Sequence, residues 1–196
     1  MTEHDWSPVL PNFPQPDRGH GCLRCGTTVL NLAAGEATTA PCSPPDMDRV
    51  LTVKAVKLFR GHDGHGFNAT LYVDGKRVCL AIDAANGGPY DYQCKNYAVV
   101  TELQRWARVK SQSLYWDQLD LLVGDLVAEA DLEKRLRRLC RTKTVAKLTT
   151  DPEGQHSVWA QAYTPAFGDS LRARHGDDLV EIVNERLVGK KEVARG

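Results

Sequence analysis

The sequence predicts an α+β protein: an antiparallel β-meander packed by helices, with a Pro/Cys-rich N-terminal arm. Three observations predict it. Asp74-Gly75 stands between two runs of alternating apolar residues, apolar stripes at helical spacing follow from Ala98 onward, and prolines and cysteines crowd residues 1–46.

The arm comes first in the chain. Pro8, Pro11, Pro14, Pro16, Pro41, Pro44 and Pro45 all fall in residues 1–46, where hydrophobic periodicity is poor, so this stretch reads as a loop-rich arm or small module. An α+β domain is expected over 47–189 and a loose tail over 190–196. The run Val50 to Phe59 is rich in β-branched residues and reads as a strand that ends at the Gly61 to Gly66 cluster.

Asp-Gly matches a two-residue type I′ turn, because both central positions need positive φ, which Gly adopts freely and Asp better than most. With the turn at Asp74-Gly75, simple counting pairs Leu71 with Val78, Ala69 with Leu80 and Phe67 with Ile82 on an apolar face, and Tyr72 with Arg77 on the other. Asn86-Gly87-Gly88-Pro89 is a second turn, and Tyr90 to Cys94 supplies a fourth strand. Val99, Leu103, Trp106 and Ala107 then mark a helix over about 98–109. Leu119, Leu122, Val123, Leu126, Val127 and Ala130 mark another. Its stripe rotates to Leu132, Leu136, Leu139 and Cys140, which predicts a kink or break near Asp131. Thr144 to Leu148 and Ser157 to Ala160 flank Asp151-Pro152-Glu153-Gly154 as a second hairpin. Thr164-Pro165 caps a helix that Gly176 stops. Asp178 and Glu181 read as a capping-box variant opening a short terminal helix that ends near Gly189.

Composition narrows the function classes. A chain of 196 residues buries roughly 70% of the surface its unfolded form exposes, enough for one substantial core, or a core plus a small appendage. Lys plus Arg and Asp plus Glu balance at 25 each. With zero net charge, binding to nucleic acid or an anionic membrane would need a local patch rather than a whole-molecule field. Met1 to Asp17 carries acids, a tryptophan and prolines where a secretory signal needs a basic start and an apolar run. No run of about 18 uncharged apolar residues is present. A cytoplasmic protein with no membrane partner is the expectation, and there the six cysteines would be thiols or metal ligands.

Four groups of residues are candidates for chemistry. Cys22 and Cys25 have the two-residue spacing that lets thiolates converge on one tetrahedral ion, Cys42 offers a third ligand, and His20 or His4 a fourth. A structural Zn2+ would supply folding energy to a module poor in apolar residues. Unmetallated structural thiols are the competing reading and redox chemistry the third; a thioredoxin-like site needs C-x-x-C at a strand-to-helix junction, which the Pro-rich context does not provide. His62, Asp63 and His65, in the glycine-rich segment Arg60 to Gly66, are candidate ligand-binding residues for a metal or phosphate. Their glycine spacing fits neither a Walker loop nor a dinucleotide fingerprint, and a solvated connection between strands accounts for them as well. Arg135, Arg137, Arg138, Arg141 and Lys143 form a basic run able to neutralise phosphates, while stabilisation of a helix C-terminus and pairing with Glu129, Asp131 and Glu133 is the plainer account. Tyr90, Tyr92 and Tyr97 can stack on bases or cover a sheet edge. No G-x-S-x-G, H-E-x-x-H or kinase motif occurs.

Five segments, Cys22 to Gly26, Gly66 to Val78, Leu119 to Val123, Leu139 to Thr144 and Asn184 to Leu187, resemble an uncharacterised family of bacterial and phage or mobile-element proteins. The resemblance implies a shared fold and no established activity; small accessory proteins of that type act by binding host machinery or nucleic acid. The functional expectation is therefore a non-catalytic binding protein whose partner is a host protein or nucleic acid. An enzyme or small-ligand binder using Gly61 to Gly66 is the alternative.

Overall fold

The structure, a computed structural model, describes residues 6–8, 20–29, 42–115 and 117–192. They group into two compact units, Met1–Ala128 and Glu129–Gly196.

In the first unit β1 (Trp6–Pro8), β2 (His20–Cys22) and β3 (Thr28–Val29) form a small antiparallel sheet. Next, β4 (Leu51–Gly61), β5 (Gly64–Val73), β6 (Lys76–Asp83) and β7 (Asp91–Cys94) form an antiparallel meander in chain order. The helix α1 (Ala98–Ser111) and the start of α2 (Gln118–Leu139) complete the unit. Asp74 and Gly75 have φ of 51° and 76°, the paired left-handed conformations of a type I′ turn. As expected, Tyr72 lies opposite Arg77.

Beyond that pair the register departs from simple counting. Val78 is the extra residue of a β-bulge, so Leu71 faces Cys79, Ala69 faces Ala81 and Phe67 faces Asp83. One residue of slip exchanges the two faces of a strand. Cys79 and Ala81 therefore lie in the core, and Leu80 and Ile82 are half-buried outside it. The small side chains Ala69, Cys79 and Ala81 share that core with the much larger Trp106, Leu103 and Val123. Leu71 is fully buried in it, so its truncation to Ala costs about 2–5 kcal/mol.

Asp120, on α2, secures β7. Its Oδ2 accepts the Tyr90 amide at 3.0 Å and its Oδ1 the Tyr92 hydroxyl at 2.6 Å. Burial, and then the bond to Asp120, push the Tyr92 phenol far above its ordinary value. The Tyr90 ring meets Phe67 edge to face at 4.9 Å. These two tyrosines are packing residues, whereas Tyr97 is exposed.

The expected break near Asp131 is absent: α2 runs unbroken from Gln118 to Leu139. The stripe rotates because the helix changes core. Leu119, Val123 and Val127 belong to the core of the first unit, and Leu136 belongs to that of the second, with Leu132 and Leu139 packed against it.

The second unit continues with β8 (Thr144–Leu148), β9 (Ser157–Trp159), α3 (Pro165–His175), a 3-10 turn (Gly176–Asp178), β10 (Leu179–Ile182) and α4 (Val183–Glu192). Its antiparallel sheet has the order β10-β8-β9. The β8–β9 hairpin is the expected one. Asp151 closes it by accepting the amides of Leu148 and Ser157 at 2.8 and 3.1 Å. Thr164 caps α3 by accepting the Phe167 amide at 3.2 Å. The expected capping box at Asp178 is not formed. Leu179 to Ile182 pair with β8 as an edge strand, and the terminal helix starts only at Val183. Asn184, fully buried, holds this unit together. Its Oδ1 accepts the Val145 amide at 2.8 Å, and its Nδ2 donates to the carbonyls of Lys143 at 2.9 Å and Cys140 at 3.3 Å. Trp159 meets Phe167 and His175 edge to face; Trp116 lies outside the described residues. No helix among the described residues is long and apolar enough to cross a membrane.

Candidate metal centre

Cys22 closes β2, and Leu23, Arg24 and Cys25 form the turn that leads towards β3. Two backbone bonds shape this knuckle: Gly26 N–H donates to the Cys22 carbonyl at 2.7 Å and Cys22 N–H to the Thr27 carbonyl at 2.9 Å. Gly26 has φ of 70°, and a Cβ there would stand 2.3 Å from the Arg105 carbonyl oxygen, so both conformation and space require glycine. The knuckle thus lies directly against α1.

Two arginines of α1 fasten it. Arg105 Nε donates to the Cys25 carbonyl at 3.1 Å, and its second terminal nitrogen donates to the Ser43 carbonyl at 2.9 Å. One guanidinium therefore joins the C-x-x-C turn to the residue next to Cys42. Arg108 Nη1 adds a bond to the Gly26 carbonyl at 3.0 Å, and burial lowers its pKa from the ordinary value. Glu102 accepts from Arg105 at 2.8 Å and holds its guanidinium in place.

The result is a cluster of three buried thiols. Cys22 and Cys25 are fully buried and Cys42 nearly so. Their sulfurs all lie within 4.8 Å of one another, and those of Cys22 and Cys42 stand 3.8 Å apart. That separation is far beyond the about 2.05 Å of a disulfide. Metal–thiolate bonds of about 2.3 Å at tetrahedral angles put two ligand sulfurs about 3.8 Å apart. Burial, then the neighbouring Cys22 and Cys25 thiols, push the Cys42 thiol up to about 12. Without a cation a thiolate here is costly; a divalent ion reverses that balance, displacing protons as it binds. The three cysteines could hold a metal ion. Of the fourth-ligand candidates, His4 and the His20 side chain lie outside the described residues.

The other sequence candidates are placed as follows. The glycine-rich segment is a tight hairpin rather than a long loop. The strands β4 and β5 pair as far as Gly61 opposite Gly64, leaving His62 and Asp63 at the turn and His65 on β5 opposite Arg60. His62, Asp63 and His65 are all exposed. Among the described residues the cysteine trio is the one group of three or more His, Cys, Asp or Glu side chains with ligand atoms so close together. In the basic run, Arg135 pairs with Asp131 at 3.1 Å and Arg137 with Glu133 at 2.7 Å, both one helical turn apart. Arg138 and Arg141 make no ion pair among the described residues. With Lys134, Arg135, Arg137 and the carboxylates Asp131 and Glu133 they line an open depression of about 690 Å³. Lys143 follows, exposed, with its carbonyl held by Asn184.

Sequence reasoning missed Arg105 and Arg108. Their signal is two cations three residues apart beside the apolar stripe of α1, and nothing in that spacing names a partner 80 residues away. Comparison with protein-family models, curated proteins and solved structures finds no match to this chain.

Proposed function

We propose that this chain is a non-catalytic binding protein of the phage or mobile-element type, whose N-terminal knuckle is held by a structural zinc ion and which presents the basic end of α2 to nucleic acid. The zinc reading is supported by the 3.8 Å separation of Cys22 and Cys42 and by burial that keeps substrates from the sulfurs. Buried ligation by three cysteines, completed by His20 or His4 as the fourth ligand, suits a closed structural ion rather than a catalytic one, which needs an open position. In the reducing cytoplasm expected from the sequence, thiolates stay available as ligands.

The partner reading is carried by Arg138 and Arg141. Pairing at i,i+4 accounts for Arg135 and Arg137, and helix-end stabilisation applies to Arg137 and Arg138, the cations of the last turn. Neither account gives Arg138 and Arg141 a carboxylate ion-pair partner among the described residues; both are exposed and share one depression with Lys134. Guanidinium groups in that state suit phosphate oxygens.

The test is binding of the full chain to a random duplex oligonucleotide over a salt series. Replacing Arg137, Arg138 and Arg141 by Glu should weaken binding and lower the slope of log K against log salt by about 2–3, since each phosphate contact contributes about 0.9. Wild-type protein that ignores DNA and RNA at low salt, or a variant that binds with an unchanged slope, would falsify the nucleic-acid reading and leave a host protein as the partner.

A further inference from the structure

We infer that the outer edge of β4 is a docking site for an extended, acidic peptide segment of a partner protein, which adds to the meander as a fifth antiparallel or parallel strand. This goes beyond the nucleic-acid reading and uses different residues.

Among the described residues the edge is long and open. The strand β4 spans 11 residues and is the first strand of the four-stranded sheet, paired among the described residues with β5 on one side. Its outer amides and carbonyls are a template for another strand. A bulge at Ala55 and Val56, where Ala55 has φ of 54°, interrupts the first half. From Lys57 to Gly61 the pairing with β5 is regular.

From Lys57 to Arg60 that regular half is exposed on both faces. Lys57, Leu58, Phe59 and Arg60 are all exposed in succession, with Leu58 at 48% and Phe59 at 37%. Successive side chains of a strand point to opposite faces. Lys57 and Phe59 therefore share one face, and Leu58 and Arg60 the other. Phe59 lies across Gly66 of β5, where a Cβ would be 2.8 Å from its ring. Each face thus offers one apolar anchor and one cation beside the open edge, the pattern that selects alternating side chains of an added strand.

Charge chooses the occupant. Lys54, Lys57 and Arg60 lie on β4, and neither β4 nor β5 carries an Asp or Glu. None of the three cations makes an ion pair among the described residues; Lys54 instead lies 4.6 Å above the Tyr72 ring. Two copies paired edge to edge would gather the cations of both with no carboxylate on either strand, so this edge resists self-association. An acidic segment with alternating apolar residues meets the cations and the anchors together.

The probe is a fluorescein-labelled decapeptide of alternating Glu and Val, titrated into the full chain, with hydrogen exchange followed along β4. We expect saturable binding, slowed exchange within residues 57–61, and roughly tenfold or greater weakening in the Lys57→Glu, Arg60→Glu variant. Methylating every second peptide nitrogen should abolish binding, because strand addition needs those amides. The variant positions are exposed, and an unchanged melting temperature confirms that the variant is folded. No binding, equal binding by the methylated peptide, or binding lost on Arg138→Glu, Arg141→Glu substitution instead would overturn the proposal. So would displacement of the peptide by an oligothymidine, since the basic edge would then be a nucleic-acid surface.

Discussion

Arg105 Nε donates to the carbonyl oxygen of Cys25 at 3.1 Å while the same guanidinium reaches the Ser43 carbonyl. A single side chain of α1 thus spans both segments that bring cysteines to the cluster. Hydrogen bonds from a charged group contribute about 1.5–3 kcal/mol each. Arg105→Ala should lower stability by about 2–4 kcal/mol, and Arg105→Lys should recover little of it, because an ammonium cannot reproduce the planar fork. Thermal unfolding with and without a chelator checks this. A loss that persists unchanged after metal removal would mean that Arg105 supports α1 alone and not the knuckle.

The bulge at Val78 predicts opposite outcomes at adjacent positions. Ala81 is fully buried, so Ala81→Lys places a charge in the core and should unfold the chain or cost more than about 3 kcal/mol. Leu80 is only half-buried on the opposite face, and Leu80→Lys should cost less than about 1.5 kcal/mol. Urea denaturation of the two variants decides the register; the reverse order of stability would restore the unbulged pairing.

Acid should weaken the second unit through Glu185. Burial alone would raise its pKa, but the Tyr163 hydroxyl donating at 2.5 Å and Arg172 donating to both carboxylate oxygens at 2.7 Å bring it below its ordinary 4.5. A carboxyl with a depressed folded-state pKa contributes stability that is present above 4.5 and lost as pH falls through the lower folded value. The Tyr163 phenol is raised, chiefly by its bond to Glu185. Its contribution is present below 10 and lost as pH rises through the folded value. Melting temperature against pH should therefore fall at both ends, and Glu185→Gln should flatten the acid limb. An acid limb identical in the variant would remove Glu185 from this account.

How much was legible in the chain follows from the range of the interactions. The Asp74-Gly75 turn, the β8–β9 hairpin and the Thr164 cap are local, and each depends on residues within a few positions, so residue type alone announces them. The bulge at Val78 was not legible, because Leu71 can face Val78 or Cys79 with equal local comfort and only the helices packed on that face choose the smaller side chain. The rotated stripe on α2 was read as a break, since periodicity records which face is buried and not against which core. Leu179 to Ile182 carry a helix-start pattern, and pairing with β8 overrides it. At the candidate site the C-x-x-C spacing announced Cys22 and Cys25, and Cys42 was reachable as the remaining cysteine of the arm. Arg105 was not, because its partners are backbone carbonyls, which leave no trace in residue type.

Cys22, Cys25 and Cys42 could hold a metal ion, and the central proposal is that such an ion fixes the knuckle on α1. Elemental analysis of chain purified without chelators or an affinity metal, set beside the Cys22→Ser, Cys25→Ser, Cys42→Ser variant, tests it most directly. Zinc at about one ion per chain in the wild type and near zero in the variant, as ligation by this cluster and a fourth ligand requires, is the predicted result. Wild-type protein that is folded, carries no stoichiometric metal and melts at the same temperature with added zinc would contradict it.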